Sequence, residues 1–135
     1  MFDTIGTEIH ITRGNIGCLH FPAKICDISP ETGEKIKTPY IYQPGDIVRF
    51  KIMKKGNVEE VYLTKDIKIE EPTELATFNL TGADTKIGDY INKPTTYWYE
   101  VELNPDTDPQ TILGYDKATG PKLFVLYPEG GDHNG

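Results

Sequence analysis

Gln43-Pro44-Gly45-Asp46-Ile47-Val48-Arg49-Phe50-Lys51-Ile52-Met53 runs from a turn directly into a strand. Proline presets the backbone for the second position of a tight turn and glycine tolerates the third, so Gln43-Pro44-Gly45-Asp46 aims the chain into the alternating segment after it. From Asp46 to Met53 the side chains alternate. Val48, Phe50 and Ile52 fall on one face and Arg49 and Lys51 on the other, the two-residue period of a strand with one buried side. Tyr97, Tyr99, Val101 and Leu103 repeat the pattern, with Trp98, Glu100 and Glu102 opposite. These two strands are expected at the centre of the core.

Outward from this pair, weaker strands are expected at Thr7 to Thr12, Gly17 to Ile25, Val58 to Ile69 with a break near Lys65-Asp66, Thr73 to Leu80, Gln110 to Tyr115, and Lys122 to Tyr127. Ile9 with Ile11, Leu19 with Phe21, Val61 with Leu63, and Ala76 with Phe78 and Leu80 give each a buried row. Between them, Ser29 to Gly33, Lys55-Gly56-Asn57, Asn104 to Pro109 and Asp116 to Pro121 carry turn chemistry. Many short strands at this spacing predict an all-β sandwich or barrel. One segment departs from the pattern. Thr81-Gly82-Ala83-Asp84 has the capping spacing of a hydroxyl followed three residues later by an acid, and Ala83, Ile87 and Tyr90 could bury one side of a short helical turn near residues 82–88.

Composition bounds the function. A chain of 135 residues closes one hydrophobic core, so residues 1–128 are read as a single domain and 129–135 as a flexible tail. The net charge of −7 excludes an ordinary nucleic-acid binder, because no segment gathers the Lys and Arg that phosphates require. No run approaches the roughly 18 apolar residues of a spanning helix, so no membrane partner is expected. Met1 to Ile11 lacks the basic start and apolar run of a secretory signal, and synthesis in the cytoplasm is expected. The two cysteines, Cys18 and Cys26, are expected as free thiols.

Candidate sites are few. His10, Cys18, His20 and Cys26 are soft ligands, and a hairpin between the first two strands would bring His10 beside Cys18 or His20. Their spacing matches no paired-cysteine zinc pattern, so they are read as ordinary strand residues and no metal is assigned. Asp106 and Asp108 near Asn104 could offer oxygens to calcium, but Asn-Pro-Asp and Asp-Pro also form turns, the reading adopted. Glu59-Glu60 and Glu70-Glu71 are strand neighbours pointing apart, not an acid–base pair. Nucleophile elbow, phosphate loop and metalloprotease motif are absent, so neither enzymatic activity nor a cofactor is expected. Trp98, Tyr97, Tyr40 and Tyr42 are the candidates for an aromatic interface, Trp98 foremost because it falls on the outward face.

Ile9-His10-Ile11-Thr12-Arg13-Gly14, Gln43 to Ile52, Phe78-Asn79-Leu80-Thr81 with Asp84-Thr85, and Tyr97-Trp98-Tyr99-Glu100-Val101 form an ordered series. The series resembles the N-terminal domain of upper baseplate proteins of tailed phages and prophages of Gram-positive bacteria, a similarity that covers about Thr7 to Leu126; related domains occur on head fibres. The resemblance implies an immunoglobulin-like antiparallel β-sandwich, a structural role, and no catalytic residues. It carries over the turn at Arg13-Gly14, the strand start at Gly45-Asp46, and the core positions Val48, Phe50, Tyr99 and Val101. Pro30 to Tyr42 departs from the pattern as a longer connection. The expectation is a virion structural protein, a free-standing baseplate, tail or head accessory subunit. Other virion proteins and further copies of itself would be its partners. A carbohydrate- or cell-surface-binding module, using Trp98 and the tyrosines with calcium-holding loops, is the alternative; a small metal enzyme built on His10, His20 and the cysteines comes third.

Overall fold

The computed structural model describes residues 2–5, 8–88, 91–107, 109–114 and 120–129, and the side chains of all of these except 2–5, 25–28 and 35–37. The chain is an immunoglobulin-like β-sandwich. Its strands are β1 (Phe2–Ile5), β2 (Glu8–Thr12), β3 (Gly17–Ile28), β4 (Lys35–Tyr40), β5 (Ile47–Lys54), β6 (Asn57–Lys68), β7 (Leu75–Leu80), β8 (Thr95–Leu103), β9 (Gln110–Leu113) and β10 (Lys122–Tyr127). The larger sheet has the order β1-β2-β10-β8-β5-β6, with β9 also on β8, and the smaller has the order β4-β3-β7. All pairings are antiparallel except β2 with β10, which run parallel.

The two strands read as central are central. β5 and β8 pair with Phe50 opposite Val101 and Ile52 opposite Tyr99, so the alternation on each delivers one shared apolar row. The smaller sheet covers that row with Leu19, Phe21, Ala76, Phe78 and Leu80, all buried. Phe50 is fully enclosed, and its ring lies 5.8 Å from Phe21, 5.8 Å from Phe78, 5.6 Å from Tyr99 and 6.5 Å from Phe124. The aromatic cluster thus joins both layers, at separations where ring pairs attract beyond their buried area.

The turn before β5 forms as its sequence dictates. The Asp46 N–H donates to the Gln43 carbonyl at 3.0 Å, and Gly45 sits at φ +94°, a conformation open to glycine and strained for other residues. The Asp46 carboxylate then accepts from the Gln43 N–H at 2.8 Å and the Tyr40 hydroxyl at 2.7 Å. Asn104, at φ 48°, closes the far end of β8 onto the start of β5: its side-chain oxygen accepts from the Ile47 N–H at 2.8 Å.

The short turn after β7 is a single turn, and among the described residues there is no helix. Its capping box is made in full: the Thr81 N–H donates to Asp84 at 2.8 Å and the Asp84 N–H to the Thr81 hydroxyl at 3.1 Å. Thr85 N–H reaches the Thr81 carbonyl at 3.3 Å, and there regular winding stops. Ile87 is buried as expected, Ala83 is exposed, and Tyr90 lies outside the described residues. The turn latches the Arg13-Gly14 loop. Fully buried Thr85 accepts from the Gly14 N–H at 2.9 Å and donates to the Asn15 carbonyl at 2.8 Å.

Three expectations about the strands need correction. β6 runs without the break anticipated at Lys65-Asp66, because Lys65 faces inward and is neutralised by Asp84 of the capped turn. β4 occupies part of the long connection expected from Pro30 to Tyr42, and β1 precedes the first strand expected. Residues 130–135 of the expected tail lie outside the described residues, whereas Glu129, taken as its first residue, is held by the Arg13 guanidinium at 2.8 Å.

Candidate functional site: an uncharged face on the smaller sheet

Of the four aromatic residues singled out for an interface, two are enclosed in the core. Tyr42 is completely buried and donates to the Phe21 carbonyl at 3.0 Å; Tyr97 is 7% exposed and belongs to the inward row of β8. Both are corrected to core residues, since a tyrosine ring enclosed in the sandwich offers a partner nothing. Tyr40 is half-buried, its ring set edge-on to Tyr42 and its hydroxyl spent on Asp46. That bond, with partial burial, raises the Tyr40 pKa to about 12, while burial foremost raises Tyr42 to about 12. Trp98 does point outward, opposite Met53 and Leu123, but is itself half-buried.

Where β6, β5 and β8 run side by side, the outer face of the larger sheet carries ion pairs, while Trp98, Thr96, Leu123 and Val125 continue it uncharged toward β10. Arg49 on β5 forks onto Asp66 of β6 at 2.8 and 2.9 Å and reaches Asp106 at 3.2 Å. Lys51 bridges Glu100 at 2.7 Å and Glu102 at 3.1 Å on β8. Arg49 faces Asp66, and Lys51 faces Glu100, directly across the ladder, so these pairs fix register. Their titration agrees. Hydrogen bonds from Arg49 hold the Asp66 carboxyl below the usual range, and Lys51 is raised because its two glutamates outweigh its desolvation.

The soft-ligand group divides. β2 and β3 belong to different sheets, so the expected hairpin between them does not form, and His10 sits instead with Tyr127 at 2.7 Å and Glu8 at 3.2 Å. Cys18 and Cys26 lie eight residues apart on one continuous strand, about 26 Å at 3.3 Å per residue, too far to share a site. Cys18 and His20 do meet, sulfur to ring nitrogen. Of the calcium candidates, Asn104 and Asp106 are engaged by Ile47 and Arg49, and Asp108 lies outside the described residues. Glu59, Glu60, Glu70 and Glu71 are all exposed.

The long edge of β6 is blunted. Its pairing to β5 is irregular, Met53 facing Val61 and the next partners being Lys54 and Asn57, so Val58 to Glu60 bulge from the ladder. With the inward-facing Lys65, this is how natural sheets discourage pairing at an edge.

What remains is a face that sequence reasoning missed. Where β3 pairs with β7 its outward residues are Cys18, His20 and Pro22, and their register partners are Asn79, Thr77 and Leu75; further along β3 the exposed Lys24 shares this side of the sheet, opposite Pro39 of β4. None of the six residues of the β3–β7 pairing carries a formal charge with His20 neutral, in a chain that is 26% charged. All are exposed except half-buried Thr77, and the turn leading into β3 adds Ile16, which is 76% exposed. Ile16, Gly17, Cys18, Asn79, Leu80 and Thr81 line an open groove of about 530 Å³ at one end. Loss of charge with retained apolar surface is the composition of an interface centre. The signal was present in the outward register of β3 and β7, but it appears only once the two strands are known to be neighbours.

Comparisons with family models, curated proteins and solved structures found no match to this chain.

Proposed function

We propose that this chain is a non-enzymatic structural protein of a tailed phage or prophage particle, a baseplate, tail or head accessory subunit present in several copies. Its work is assembly, and its contact surface is the outer face of β3 and β7. The observation that carries the proposal is the contrast between the two outer faces. One is laced along β5, β6 and β8 with Arg49, Lys51, Asp66, Glu100 and Glu102, paired among themselves; the other is uncharged where β3 pairs with β7, with Lys24 beyond it, and exposes Leu75 and Ile16. A net charge of −7 keeps copies apart in solution, and a neutral face is where they meet with least repulsion.

The particle assignment rests on the series of residues resembling upper baseplate domains; the core positions that the series carries over, Val48, Phe50, Tyr99 and Val101, lie together at the centre of the larger sheet. The test is the protein content of virions. Particles induced from the strain that encodes the chain, purified by density gradient, should contain it in a fixed ratio to the major tail or head protein. Its absence from purified particles overturns the proposal.

A further inference from the structure

We propose that Cys18 and His20 are half of a tetrahedral site for a soft divalent cation, zinc foremost, which a second copy of this chain completes across the neutral face. The inference rests on the assembly reading. Its starting point is a distance: Cys18 Sγ lies 3.5 Å from His20 Nε2. Ligands on zinc at about 2.3 Å for sulfur and about 2.0–2.1 Å for nitrogen, separated by the tetrahedral angle, stand about 3.6 Å apart. Without a metal the same spacing serves a weak S–H···N hydrogen bond, so the pair is held at the required separation before any ion arrives.

The histidine is also oriented as a ligand would be. Its Nδ1 lies 2.9 Å from the Thr77 hydroxyl on the neighbouring strand. With the Nδ1–H donated to Thr77, the Nε2 lone pair faces Cys18, the arrangement by which a second bond partner fixes ring and tautomer at metal sites. Both side chains are exposed, and Cys18 is a free thiol. Among the described residues no third His, Cys, Asp or Glu gathers with them. The described residues of one chain therefore supply two ligands of four.

A second copy supplies the rest by symmetry. In a two-fold dimer the same patch meets itself, so two cysteines and two histidines converge as a closed Cys2His2 set. Sheets packed face to face lie about 10 Å apart, a gap that Cys and His side chains reaching from both sides can span through a central ion. The immediate neighbours Pro22, Leu75 and Asn79 are uncharged, so none of them adds repulsion where the two ligand pairs meet. On binding, each thiol loses its proton to solvent and the thiolate coordinates; nothing is oxidised or reduced.

The experiment titrates the reduced full chain with zinc chloride, read by calorimetry and sedimentation velocity. Expected are one zinc per two chains, a shift from monomer to dimer, and reversal by a chelator. Cobalt(II) in place of zinc should show tetrahedral absorption with a thiolate charge-transfer band. Cys18→Ser and His20→Gln should each weaken zinc binding at least tenfold with unchanged circular dichroism, while His10→Gln leaves it intact. Failure to take up zinc, one zinc per chain without dimerisation, or an unaffected Cys18→Ser variant overturns the site. Dimerisation without zinc that is lost in Leu75→Lys overturns the metal alone, and the assembly reading stands. Zinc dimers of a chain missing from purified particles do the reverse.

Discussion

Replacing Phe50 by alanine removes the ring that both layers share. Phe50 is wholly enclosed by Phe21 and Phe78 of the smaller sheet and Tyr99 and Phe124 of the larger one, so the cavity left behind lies between the sheets, where neither can collapse without moving the other. Truncating a buried phenylalanine costs about 3–5 kcal/mol, and the loss of edge and stacked ring pairs places this site near ~4 kcal/mol. Domains are stable by only about 5–15 kcal/mol, so the variant should remain folded with little in reserve. At a urea slope of about 2 kcal/mol per molar, the unfolding midpoint falls by about 2 M with the slope unchanged. Trp98 fluorescence and far-ultraviolet circular dichroism should report the same transition. A loss below about 1 kcal/mol, or no greater than that of the exposed control Lys54→Ala, would refute the shared aromatic core.

Three further outcomes are expected of the same structure. A β-carbon on Gly82 would stand 2.8 Å from the Gly14 carbonyl oxygen, a backbone atom that cannot swing aside, so Gly82→Ala should cost about 1–3 kcal/mol and lower the thermal midpoint by several degrees. Thr85→Val strips the Gly14 N–H of its acceptor inside the latch; a loss of about 1–3 kcal/mol with faster amide exchange at Gly14 is expected, and unchanged exchange there would count against the latch. Acid should destabilise the fold. Burial pushes Asp46 and Asp84 up, but bonds from Gln43, Tyr40 and Asn104 to the first, and from Lys65 and Thr81 to the second, outweigh it, and both carboxyls fall below their ordinary values, as does Asp66 through Arg49. Depressed carboxylates stabilise the fold above the unfolded pKa of about 4, and the contribution drains away as pH falls through the lower folded values. Urea midpoints measured from pH 6 to pH 2 should drop below about pH 4, and the drop should shrink in Asp84→Asn.

The architecture was legible where local chemistry and packing agree. β5 and β8 alternate cleanly because each buries one face, and Gln43 to Asp46 must turn because Pro44 and Gly45 permit little else. The capping spacing of Thr81 and Asp84 announced a reciprocal pair of bonds, though not that winding would stop after one turn. Other features depended on partners far along the chain. Lys65 reads as a break in an apolar row until Asp84 neutralises it from the turn after β7. In β4 only Ile36 and Tyr40 are apolar between Lys35, Lys37 and Pro39, too short a pattern to stand out, and its pairing with β3 makes it a strand. The alternation of β8 places Tyr97 in the core row beside Tyr99, while the burial of Tyr42 depends on the bridge it makes to Thr73. Cys18 and His20 were visible as soft ligands, yet the bond of His20 to Thr77 and the uncharged residues around the pair emerge only from the β3–β7 register.

Hydroxyl-radical footprinting of the chain, free and within intact particles, tests most directly whether the neutral face is where copies meet. Ile16, Cys18, His20 and Leu75 should lose reactivity on assembly, while Val58 and Val61 on the blunted β6 edge keep theirs. Undiminished labelling of the four, with protection moved to β6 or to the ion-paired sheet, would contradict it.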